Sequence, residues 1–429
     1  MLKNQITDPA FDLEDLVGTR PSEDEFNKFF ALDSKKGRSR AAAQNIYYDF
    51  RSKEEVPAPR AAESDRHIKP FEKKQTPAAV VSLVLVIALF SSILAFGQTP
   101  VMETAENIVH KGTVSSKGKA SASEHVKVPE NNDAYAIESS IIVQRDRAME
   151  IYSVNQDVLE GYGKEINDFA RHVRRANVYV LLAPTAIEFY GPDDYKTENH
   201  SFLTAMKYVY GELDARNVKG INARDTLAKH VDDYIYFRTD HHWTALGAYY
   251  AYRTFCEASG QKATQLEKHR SGQIDGFVGS MYRYTNSQTL KNNPDYVKYY
   301  YPITSAKGHV YNDASMTEKN PRSVKVINTN VSADNAYLAF VEGDNPIEKF
   351  DTGVKNGKSI VLIKESFGDT FAPFLMDNYE TVYVVDPRKV EFSLEDFVKD
   401  NKIDDVLFLN YAFAPANPTY KAALAKMLS

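Results

Sequence analysis

Apolar and polar positions alternate or mix along most of this chain, with one break: Ala78 to Phe96 reads AAVVSLVLVIALFSSILAF, without a charge and with only three serines. At a helical rise of about 1.5 Å per residue, such a run crosses the roughly 30 Å hydrocarbon layer of a bilayer. A helix in a soluble core would carry a polar face, and this one has none. The pattern predicts a transmembrane helix over residues 77–97. Residues 1–76 precede it, too many for a cleaved secretory signal. Arg66, His67, Lys69, Lys73 and Lys74 lie before the span, whereas Gly97-Gln98-Thr99-Pro100, Glu103 and Glu106 follow it. Cationic flanks stay on the cytoplasmic side. The expected arrangement is a single pass through the plasma membrane, N-terminus in the cytoplasm and C-terminal part outside.

Residues 1–76 are charged, include Lys35-Lys36-Gly37-Arg38-Ser39-Arg40 and the Pro-bearing VPAPRAAESD, and read as a disordered tail. Its two apolar clusters, around Phe11, Leu13 and Leu16 and around Phe26, Phe29, Phe30 and Leu32, read as fraying short helices or as docking motifs for an intracellular partner. Residues 98–132, rich in Ser, Thr, Lys and Val without periodicity, suit a stalk.

From Asp133 to the C-terminus the pattern is globular. Apolar positions at helical spacing predict helices over Ser153–Val173, Ser201–Leu213 and Thr244–Glu257. Val178–Leu182 reads as a buried strand ending at Ala183-Pro184-Thr185, and Tyr234–Arg238 as another strand. Between Ser259 and Gly357, YYYPI, SVKVINT and AYLAFVEG alternate as antiparallel strands would. Strands at Ser359–Lys364, Thr381–Val385 and Asp405–Leu409 then alternate with helices at Phe371–Met376, Leu394–Lys399 and Thr419–Leu428. Such alternation predicts an α/β fold, a parallel sheet flanked by helices, with a Tyr-rich, partly antiparallel insertion.

Composition narrows the partners. Net charge is −6, from 52 basic and 58 acidic residues, and no basic face interleaved with aromatics appears, so nucleic acid is not an expected partner. Tyrosine is abundant, 27 beside 23 Phe and a single Trp, which suits carbohydrate surfaces as well as sheet cores. The single cysteine, Cys256, excludes an intramolecular disulfide and a Cys-rich metal site, and reads as a small buried hydrophobe.

Two junctions carry candidate chemistry. In Arg238-Thr239-Asp240-His241-His242-Trp243 a carboxylate stands two residues before an imidazole, where a strand-like run gives way to a helical one. On an extended stretch residues two apart point to the same side, so Asp240 can orient His242. Lys364-Glu365-Ser366-Phe367-Gly368 is a second strand-to-helix junction, and open α/β sheets place ligands at the carboxyl ends of their strands. Ser366 would be the nucleophile, activated by His242. Taken singly, a serine there is also a good helix cap and a histidine a good structural residue. The oxyanion of an acyl intermediate needs donors, for which the N–H of Ser366 or Phe367, relieved by Gly368, and groups at Asn410 and Tyr411 are candidates. Trp243 either walls the site or anchors its helix. Asp240, His241 and His242 with Asp232 and Asp233 also resemble metal ligands, but no matching Asp-x-Asp strand end accompanies them, and neither a metal nor another cofactor is expected.

TDHHWTALGAYYAYRTF together with IKESFGDTFAPFL resembles the DHHW family and, through it, the periplasmic alginate O-acetylation proteins with circularly permuted SGNH-hydrolase-like domains. The resemblance covers residues 133–429. It implies an SGNH-like domain in which Asp240 and His242 are the acid and base, Ser366 is acylated, and His241 is the alternative base. It also implies O-acetyl transfer to, or removal from, a cell-envelope polysaccharide, usually beside a membrane-bound O-acyltransferase. This chain departs from the pattern in having Glu365 before the serine and Asp369 after Gly368. Asp369 adds negative charge near the oxyanion position, which would suit a catalytically silent polysaccharide-binding or scaffold protein.

Overall fold

The computed structural model describes residues 128, 130–138 and 140–429. The expected tail and transmembrane helix lie outside these residues, as does the stalk up to residue 127. Among the described residues no helix is long and apolar enough to cross a membrane.

A small antiparallel sheet opens the described chain: β1 (Ala136–Glu138), β2 (Ile141–Gln144) and β3 (Arg147–Glu150). Helix α1 (Gln156–His172) follows, capped by Asn155, whose side chain accepts from the Val158 N–H at 3.3 Å. Its buried positions Leu159, Tyr162, Ile166, Phe169 and Ala170 fall on one stripe. Next come β4 (Asn177–Ala183), α2 (Phe202–Gly211), β5 (Val218–Gly220) and α3 (Ala245–Ser259). The middle of the chain holds β6 (Ser271–Phe277), β7 (Asp295–Tyr300), β8 (Ala306–Tyr311), β9 (Arg322–Val324) and β10 (Ile347–Thr352). The last third alternates β11 (Ser359–Lys364), β12 (Thr381–Val385), α4 (Leu394–Asp400), β13 (Asp405–Tyr411) and α5 (Pro418–Leu428).

The main sheet has eight strands in the order β5-β4-β13-β11-β12-β10-β8-β9. From β5 to β12 neighbours are parallel, and from β12 to β9 they are antiparallel. Strands β11 and β13 are buried along their whole length, as strands covered on both faces must be. Register and ring contacts assign the covering layers. Phe408 meets Phe169 of α1 on one face, and Tyr179 meets Phe255 of α3 on the other.

Three differences from the sequence reading have physical causes. The Tyr-rich region is not a separate insertion: β8, β9 and β10 extend the parallel half into a mixed sheet, and β6 with β7 form their own ribbon. AYLAFVEG is not a strand but a 3-10 segment, Ala333–Ala339, followed by left-handed backbone at Val341, Glu342 and Gly343. Tyr234–Arg238 joins no sheet; only Tyr236 bridges to Trp243. Its carbonyls are served by the Arg147 side chain at Tyr236 and Phe237 and by the Ala148 N–H at Arg238.

Candidate active site

The DHHW run is a loop clamped from below. Asp295, at the start of β7, accepts from the N–H groups of Arg238 (2.9 Å) and Thr239 (2.7 Å) and from the Thr239 hydroxyl (2.7 Å). At its far end Thr244 caps α3, accepting from the Gly247 N–H at 3.3 Å. Between these anchors Asp240 turns inward. Its Oδ1 accepts from the His242 N–H at 3.0 Å and meets His242 Nδ1 at 2.6 Å, and its Oδ2 accepts from the Ser280 N–H at 2.8 Å. Gly279 has no room for a side chain, because a Cβ there would run into the Asp240 carboxylate.

Ser366 stands just beyond β11, on the 3-10 turn Ser366–Gly368. The turn is held by Glu365, whose Oε2 accepts from the Phe367 N–H at 3.1 Å and whose Oε1 accepts from the Tyr411 N–H at 3.0 Å. Ser366 Oγ lies 2.7 Å from His242 Nε2. The structure thus brings three groups from distant segments into one line: carboxylate, imidazole, hydroxyl. A carboxylate only accepts, so His242 Nδ1 carries the proton and Nε2 is left to accept from Ser366. Asp240 and His242 are buried, while Ser366 is partly open. His241 does not share this position: its Nδ1 meets Ser280 Oγ at 2.6 Å.

Electrostatics sharpen the roles. Burial alone would raise the Asp240 carboxyl, yet the His242 and His241 imidazoles and the hydrogen bonds from His242 and Ser280 hold it well below the usual carboxylate range. It is therefore an anion that fixes the tautomer. Burial, then the adjacent His242, push His241 down to about 3, so it is neutral at neutral pH. Burial pushes the Glu365 carboxyl up, against the opposing hydrogen bonds from Tyr411 and Phe367.

Of the oxyanion candidates named from sequence, the groups at Phe367, Gly368, Asn410 and Tyr411 are engaged elsewhere. The Phe367 and Tyr411 N–H groups donate to Glu365, and the Gly368 N–H donates to the Glu365 carbonyl at 2.8 Å. Asn410 faces the α1 side of the sheet, accepting from Tyr162 OH at 2.7 Å and donating to Tyr420 OH at 2.6 Å. The Tyr411 ring stacks on Phe367, centroids 4.8 Å apart. Trp243 is fully buried and donates from Nε1 to the Phe367 carbonyl at 2.9 Å, tying the two junctions together. Asp369 does not face an oxyanion as a free charge. It pairs with buried Lys364, which also contacts Asp344 at 2.8 Å.

Two participants escaped the sequence reading. Ser280 holds both His241 and Asp240. Tyr337 lies flat on His242, centroids 3.9 Å apart at 12°, and donates its hydroxyl to the Ser366 carbonyl at 2.7 Å. Neither residue sits in a motif, and Tyr337 lies in the segment misread as a strand.

As a metal site the cluster is poorly suited. Asp240, His241 and His242 bring ligand atoms within 4.8 Å of one another. His242, however, spends one nitrogen on Asp240 and the other on Ser366. Asp233 is elsewhere, accepting from Tyr250 OH at 2.7 Å and meeting His230 at 3.0 Å.

A family model described as "DHHW protein" matches residues 119–385, a span that holds both junctions. A DHHW family protein from Eubacterium siraeum is 31% identical, with a TM-score of 0.63 over 70% of this chain and 100% of that one. PatB1 from Bacillus cereus is 18% identical, with a TM-score of 0.52 over 67% of this chain and 99% of that one. A second PatB1 structure, with a sulfonyl adduct, is 17% identical, with a TM-score of 0.52 over 66% of this chain and 96% of that one. No curated protein matches the sequence.

Proposed function

From the premise that this chain belongs to the DHHW family, we propose that it is an acyl-transfer enzyme working on a cell-envelope polysaccharide through Ser366. The observation that carries the reading is the line from Asp240 Oδ1 to His242 Nδ1 (2.6 Å) and from His242 Nε2 to Ser366 Oγ (2.7 Å). His242 Nε2 takes the hydroxyl proton as Ser366 Oγ attacks an acetyl ester carbonyl, forming an acyl-serine bond and breaking the ester's C–O bond. The departing alkoxide receives the proton back from His242. A sugar hydroxyl or water then attacks the acyl-serine by the reverse steps, which makes the protein an O-acetyltransferase or an esterase. The order Asp240, His242, Ser366 along the chain supports a circularly permuted SGNH-hydrolase-like sheet. The polysaccharide, and a membrane-bound O-acyltransferase as donor partner, rest on the resemblance of the two motifs to the alginate O-acetylation proteins.

One observation favours a second reading, a catalytically silent polysaccharide-binding protein: the Glu365 carboxyl holds two N–H groups that flank the serine. A sulfonyl fluoride probe separates the two. Intact-mass and peptide analysis should place one adduct on Ser366. In Ser366→Ala the adduct should vanish and hydrolysis of a small acetyl ester should fall by at least about 1,000-fold, with the circular dichroism unchanged. Equal ester turnover in Ser366→Ala would end the acyl-serine reading.

A further inference from the structure

Lys268, Arg270, Lys307 and Lys325 line a cavity of about 670 Å3 that has no Asp or Glu in its wall. In a chain of net charge −6 this concentration of cations runs against the background. Among the described residues none of the four is in an ion pair. Asp351, opposite Lys307 in the sheet register, is 3.6 Å from Lys349, and Glu342, which accepts from the Lys325 backbone N–H, pairs with Arg322 at 2.6 Å. The cavity is thus a concave set of like charges with no acidic side chain in its lining, a shape that concentrates anions.

Its location separates it from Ser366. The strand that lines it, β8, is three places from β11 in the sheet, about 14 Å at the usual strand spacing. The lining part of β8 pairs with the end of β10 that faces Thr381, the start of β12, whereas Ser366 follows the end of β11. The rest of the wall specifies more than a point charge. The Arg270 guanidinium lies over the Tyr301 ring, its Cζ 3.8 Å from the centroid, a cation–π contact that holds the charge beside the cavity. Ile303, 52% exposed, offers an apolar surface beside it. A flat membrane surface would reach cations on a convex face rather than on the walls of a concavity.

We propose that this cavity binds a segment of an acidic glycan, its carboxylates meeting the four cations and an apolar ring face lying against Ile303. The charge argument is independent of Ser366, while the choice of a glycan rests on the function proposed above. The test uses the full-length chain and a Lys307→Ser/Lys325→Ser double variant, both side chains being exposed. Binding of tetragalacturonate, neutral cellotetraose, inorganic pyrophosphate and phosphatidylglycerol vesicles is measured at low and high salt, with sulfonyl labelling of Ser366 recorded in parallel. The expected result is binding of tetragalacturonate alone, weakened by salt and at least tenfold weaker in the double variant, with labelling unchanged. Retained tetragalacturonate binding without Ser366 labelling still supports the cavity while removing the acyl-transfer reading. Equal binding by the double variant, equal binding of cellotetraose, pyrophosphate bound as tightly as the saccharide, or vesicles bound in its place would each overturn the proposal.

Discussion

Tyr337 acts on both halves of the His242–Ser366 pair, stacking on the imidazole and anchoring the carbonyl of the serine. Burial pushes its phenol well above the ordinary range, so it remains a donor across the working pH range. The two contacts can be separated by substitution. Tyr337→Phe keeps the ring and loses one hydrogen bond, worth about 1 kcal/mol, so labelling of Ser366 should slow by no more than roughly tenfold. Tyr337→Leu also frees the imidazole to rotate away from Ser366 and should slow labelling by about a further tenfold. The pH–rate profile is the discriminating readout. A purely structural tyrosine would leave its inflection in place, whereas a positioning one moves it in the Leu variant and not in the Phe variant. Wild-type rates and profile in Tyr337→Leu would remove this role.

At the scale of elements, β11 and the turn after it are held by charge as well as by packing. Lys364 ends the strand fully buried; burial alone would lower its ammonium, but Asp344 and Asp369 keep it above its ordinary range. Arg388 continues the network, 2.8 Å from both Asp344 and Asp386. Removing Lys364 leaves the Asp369 carboxyl buried without its cation, so Lys364→Met should cost about 3–5 kcal/mol in urea unfolding. A loss under about 1 kcal/mol would show the network to be dispensable. Legibility from sequence follows the same division. Val178–Leu182, Ser359–Lys364, Thr381–Val385 and Asp405–Leu409 were readable because strands covered on both faces need continuous apolar runs. The antiparallel half was not, because β8 and β10 are defined by distant partners rather than by their own periodicity. In AYLAFVEG, Ala336, Tyr337, Ala339, Phe340 and Val341 are all buried, and so dense an apolar run carries no strand period to distinguish it from a 3-10 turn. Asp240, His242 and Ser366 were legible as a set from motif chemistry. Tyr337 and Ser280 were not, since only the fold brings them there.

For the whole molecule, we propose from the positive-inside reading of residues 66–74 that the domain carrying Ser366 lies outside the cell. Protease added to intact spheroplasts should then remove an epitope at the C-terminus and spare one at the N-terminus. The reverse pattern would invert the proposed topology. The bond from the Trp243 indole to the Phe367 carbonyl has a practical consequence at this scale. This is the only indole in 429 residues, and it adjoins His242 and reaches the residue after Ser366. Light absorbed at the red edge, beyond tyrosine, excites one place in the molecule. The protein carries a built-in fluorophore whose emission should report labelling of Ser366 or loosening there without an attached dye.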